Sequence, residues 1–80
     1  MPGEKPHPLP LRELLSRLAG YGVVHHRGRK HLILVKPTGR DPHKGPQYPV
    51  TDHGPATEIG VPVIRACLRR FGIDPDDFWK

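Results

Sequence analysis

Leucines at positions 11, 14, 15 and 18 recur at helical spacing, while Arg12, Glu13, Ser16 and Arg17 fill the opposite face. This pattern predicts an amphipathic helix that starts near Pro10 and is ended by Gly20 or Gly22 in a left-handed cap. Residues 23–27, Val-Val-His-His-Arg, read as a short strand, and Gly28-Arg29 as a turn. Residues 30–36 place four aliphatics behind Lys30-His31, and Pro37 stops them, so they form the strongest strand of the chain. Strands this close in sequence pair as an antiparallel hairpin. Turn formers fill residues 37–47. Residues 48–51 make a third strand, short or at an edge because Pro49 has no amide proton to donate. A loop over residues 52–58 follows. Pro62 then opens a second helix with Val63, Ile64, Cys67, Leu68 and Phe71 on its apolar face, Arg65, Arg69 and Arg70 outside, and Gly72 as its cap. Asp74-Pro75-Asp76-Asp77 is a further helix start, folding Phe78 and Trp79 back onto the core.

The order helix, strand, strand, strand, helix, with two apolar helix faces to bury, predicts an α+β fold. It is a two-layer α-β-β-β-α sandwich, a three-stranded antiparallel sheet with both helices on one face, as in double-stranded-RNA-binding domains. The expected organisation is one domain over residues 9–80 behind a Pro-rich, polar lead-in, residues 1–8, which is predicted to be disordered and to carry no chemistry. In 80 residues there is no room for a deep substrate pocket, so function belongs on a surface or in a shallow groove.

Charge narrows the class of partner. Thirteen Lys and Arg face eight Asp and Glu, for a formal charge of +5, with six His in addition. Such a domain is drawn to polyanions, nucleic acid first. The anionic face of a protein partner answers the same field. A membrane surface fits less well, because no basic amphipathic helix is evident. No signal peptide and no span of transmembrane length appear, which leads to a cytoplasmic expectation. The single cysteine, Cys67, permits neither an internal disulfide nor a cysteine-based zinc site, and its place in the apolar pattern makes it a core residue.

No phosphate-binding glycine loop, strained serine elbow or zinc signature is present, so no metal site and no cofactor are expected. His25 and His26, adjacent on a strand, point to opposite faces and cannot chelate together. What remains is Arg27-Gly28-Arg29-Lys30-His31, a histidine at the start of a strand beside a tight turn and three cations. RNA cleavage needs a base for the 2′-hydroxyl, an acid for the 5′-oxygen, and cations for the charge on the phosphorane. Histidine serves as base or acid near neutrality, and RNA supplies its own nucleophile. From the spacing alone, a polar strand-end histidine beside a basic turn is an equally good reading.

The chain resembles the HicA toxins, small mRNA interferases of bacterial toxin–antitoxin pairs, over residues 9–79. The opening helix with Gly22-Val23-Val24 is similar to the family's start. Gly28-Arg29-Lys30-His31 is similar to its Gly-Ser-His or Gly-Lys-His at the head of strand two. Pro49-Val50 and His53 resemble its strand-three Pro and His, residues 58–59 and 63–73 its second helix, and Asp77-Phe78 its acid–aromatic ending. In this chain Arg29 separates Gly28 from Lys30-His31, and the aliphatic run that follows aligns the family's catalytic histidine with His31.

The resemblance implies metal-independent cleavage of mRNA, with His31 as the catalytic acid/base and a HicB-type antitoxin as protein partner. It implies no DNA binding by the toxin itself. Arg27, Arg29, Lys30, Lys36, Arg40 and Lys44 are the expected RNA-binding cations. The second proton-transfer group is open among His53, His25, His26 and solvent, with His53 ranked first because it follows strand three. Two other classes compete: a non-catalytic basic RNA-binding module of the same fold, and an interaction protein that docks an acidic partner.

Overall fold

The computed structural model describes residues 5–29, 31–41 and 44–79. The first helix, α1 (Leu11–Ala19), follows a two-residue strand, β1 (Leu9–Pro10), and buries Leu11, Leu14 and Leu18. Pro10 at its N-cap offers no side-chain acceptor. The free amides of Leu11 and Arg12 instead donate to the carbonyls of Thr57 at 2.7 Å and Pro55 at 3.0 Å, so a distant loop caps the helix. Gly20 stays right-handed, and the left-handed residue after the helix is Gly22.

Three strands follow, β2 (Val24–Arg27), β3 (Leu32–Val35) and β4 (Gln47–Val50), in the antiparallel order β2-β3-β4. Pro49 thus lies on an edge strand, as its missing amide requires. The ladder of β3 is shorter than its aliphatic run with flanking lysines suggested, and β4 begins one residue earlier than its sequence pattern suggested.

The loop expected over residues 52–58 ends instead in a strand, β5 (Glu58–Ile59), which pairs with β1 as Leu9↔Ile59 and Pro10↔Glu58. Next comes α2 (Val61–Phe71), which buries Ile64, Cys67, Leu68 and Phe71 and ends on Gly72 at φ 67°. Val63, assigned to the apolar face from its spacing, is 36% exposed. Residues 64, 67, 68 and 71 already complete the buried stripe, and Val63 falls one residue outside it. In α3 (Pro75–Phe78) the Asp74 carboxylate accepts from the Asp76 amide at 2.9 Å.

The register Leu32↔Val50 and Leu34↔Tyr48 puts these side chains on one face of the sheet. Leu32, Leu34 and Val50 join the buried side chains of α1 and α2, together with Phe78 and Trp79, in a single apolar cluster, so the architecture is α+β with the helices packed on the sheet. In the lead-in, the His7 ring rests 5.3 Å from that of Trp79. Among the described residues no helix is long and apolar enough to cross a membrane.

Candidate active site at the hairpin tip

The pairing Arg27↔Leu32 closes the ladder between β2 and β3, and the chain reverses over residues 28–31. The Gly28 amide donates to the His31 carbonyl at 2.8 Å, which fixes the turn. A Cβ at Gly28 would stand 3.0 Å from that carbonyl oxygen and 3.2 Å from the Ile33 side chain, so a side chain there would require the turn to give by a few tenths of an ångström. Arg29 and His31 are exposed at this tip. Lys30 lies outside the described residues.

Because Leu32 pairs with Val50, the segment leaving β4 emerges at the same end of the sheet as the hairpin tip. The Arg27 guanidinium donates from Nη2 to Asp52 Oδ2 at 2.8 Å, joining β2 to that segment. Asp52 Oδ1 accepts from the Gly54 amide at 2.9 Å, a turn built by the carboxylate on its own backbone. The His53 amide donates to Thr57 Oγ1 at 2.9 Å, and the Thr57 amide to the Gly54 carbonyl at 3.0 Å. His53 is exposed on a loop held at its start by Arg27 and at its end by the first amides of α1. His31 and His53, far apart in sequence, thus stand at one end of the sheet.

The two other candidate histidines divide between the faces of β2. His25 and Arg27 pair with Leu34 and Leu32, so they face α1 with the core residues. They line a shallow depression of about 250 Å³ with Arg12 and Asp52. His26, paired with Ile33, lies on the opposite face.

Three of the expected cations lie elsewhere. The far end of β3 leads into residues 36–46, placing Lys36, Arg40 and Lys44 away from the tip. The Lys36 ammonium is half-buried and donates to the Phe71 carbonyl at 3.3 Å, where it caps the C-terminus of α2. Arg40 and Lys44 are exposed at that distal end.

Exposed imidazoles beside guanidinium groups can exchange protons with a bound phosphodiester and offset its charge. Cys67 is excluded as a nucleophile: it is fully buried, and burial pushes its thiol up to about 12. Among the described residues no three His, Cys, Asp or Glu side chains are grouped to hold a metal ion. Sequence reasoning missed Asp52. Asp-His-Gly is a signal for a carboxylate-built turn, but nothing local foretells its pairing with Arg27 across 25 residues.

No family model, no curated protein and no solved structure matches the chain.

Proposed function

We propose that the chain is a metal-independent endoribonuclease of the HicA type, an mRNA interferase with a double-stranded-RNA-binding-domain-like fold. His31 moves the proton, while Arg27 and Arg29 neutralise the phosphodiester. The observation that supports this best is that exposed His31 and His53 stand at one end of the sheet, where the Arg27–Asp52 pair ties β2 to the His53 loop. In this reading His31 takes the 2′-hydroxyl proton, the 2′-oxygen attacks phosphorus, and a second group protonates the departing 5′-oxygen. His53 is the first choice for that group, since it follows β4 at the end of the sheet where the tip lies. A toxin of this kind acts on mRNA in the cytoplasm and is held in check by a HicB-type antitoxin. It needs neither DNA nor a membrane.

The test is cleavage of mRNA in EDTA by the wild type, His31→Ala and His53→Ala, each checked for folding by circular dichroism. Scission by the wild type, lost in His31→Ala and reduced about a hundredfold in His53→Ala, is the expected result. Salt-sensitive binding without scission would replace the enzyme by a non-catalytic RNA-binding module. Scission by His31→Ala at the wild-type rate would end the assignment of that residue.

A further inference from the structure

A groove of about 450 Å³ runs between α2, the C-terminal turn and Pro6 of the lead-in, and no residue of the hairpin tip lines it. Val61, Leu68, Ile73 and Trp79 supply apolar walls, and Arg65 and Arg69 border it. Both arginines are exposed and lie four residues apart, on one side of the helix. Among the described residues neither guanidinium has a hydrogen-bond or ion-pair partner, and the Arg69 backbone carbonyl accepts from the Gly72 amide. Their neighbour Arg70, in contrast, donates to the Gln47 carbonyl at 3.1 Å.

We infer that this groove is a docking site for an acidic, apolar segment of a protein partner. The segment's carboxylates would pair with Arg65 and Arg69 while one aliphatic or aromatic side chain enters between Val61, Ile73 and Trp79. Charge complementarity selects the occupant. Two unpartnered guanidiniums on an apolar wall match carboxylates spaced along a helix or strand, and each forked pair fixes orientation as well as charge. Single-stranded RNA fits worse, because it needs an open aromatic face on which to stack bases. The Trp79 ring is already engaged by the Arg17 guanidinium at 5.5 Å, by His7 and by the Phe78 edge at 5.0 Å. None of the groove residues belongs to the tip or the His53 loop, so this site stands apart from the proposed nuclease.

Trp79 is the only tryptophan, so its emission reports the groove directly. The probe is an eight-residue peptide with two glutamates four apart flanking leucine and phenylalanine. Its glutamine counterpart and a short RNA serve as comparisons. The expected result is a saturable shift of Trp79 emission with the glutamate peptide. Binding should weaken about tenfold in Arg65→Gln and again in Arg69→Gln, with circular dichroism and mRNA scission unchanged in both. No shift, or equal binding of the glutamine peptide, overturns the inference. Displacement by the short RNA makes the groove a phosphate site instead. Sedimentation showing a dimer that the double variant dissolves assigns the groove to a second copy of the chain. Because scission is read separately, failure here leaves the nuclease proposal intact, and the reverse holds too.

Discussion

At the scale of single residues, the Asp52 carboxylate is engaged at both oxygens, by Arg27 on one and by the Gly54 amide on the other. Its side chain is only 10% exposed, while that of Arg27 is 74% exposed. A pair with so wet a partner contributes less than about 1 kcal/mol to stability. Its larger effect is on aim, since it holds the guanidinium against the segment that leaves β4. Asp52→Asn keeps the turn acceptor and loses the charge. It should lower single-turnover scission about tenfold, leave the urea midpoint nearly unmoved, and regain part of the rate as Asp52→Glu. Cys67 gives a second residue-scale prediction. Its thiol is held up to about 12 in the fold, against 9.0 for the free group, so between these values the unfolded chain has released a proton that the native state keeps. Stability contributed by the neutral thiol is therefore complete below pH 9 and is lost as pH rises toward 12. The slope approaches about 1.4 kcal/mol per pH unit. Urea melts at rising alkaline pH should show this slope in the wild type and a shallower one in Cys67→Ala.

At the scale of elements, α2 offers neighbouring positions with opposite expectations. Leu68 is 1% exposed within the core, whereas Val63 is 36% exposed in the first turn. Leu68→Asp buries a carboxylate and should unfold the domain. Val63→Asp places an acid at a helix N-terminus that has none, and should shift stability by less than about 0.5 kcal/mol. Urea denaturation separates the two. The helices were legible in the sequence because their period repeats several times, enough to fix the Gly72 cap and the buried face except at Val63 in the first turn of α2. The hairpin was legible because Lys30-His31 and Pro37 bracket four aliphatics. The pairing of β1 with β5 was not, since two residues show no alternation and their partners are distant in the chain. The same limit hid Asp52. Its local turn could be read, but the contact with Arg27 depends on the register of all three strands. The tip position of His31 was legible, while the dispersal of Lys36, Arg40 and Lys44 to the other end follows from the direction in which β3 runs.

At the scale of the whole molecule, the charge of +5 is divided rather than pooled. Arg27 and Arg29 lie at the tip, Arg40 and Lys44 at the distal end, and Arg65 and Arg69 on the back of α2. Removing a phosphate contact lowers the salt dependence of RNA binding by about 0.7 in the slope for a single strand. Arg27→Gln with Arg29→Gln should therefore flatten the slope by about 1.4, and Arg40→Gln with Lys44→Gln should leave it largely intact. Fluorescence anisotropy of a labelled RNA over a series of salt concentrations measures both. An equal loss from the distal pair would move the binding face to that end.

The contact of His7 with Trp79, together with the pairing of Leu9 to Ile59, brings the two ends of the described chain side by side. A short glycine linker joining them, with new ends opened at Gly39 in the exposed distal turn, should give a circular permutant that folds with the same helices and sheet.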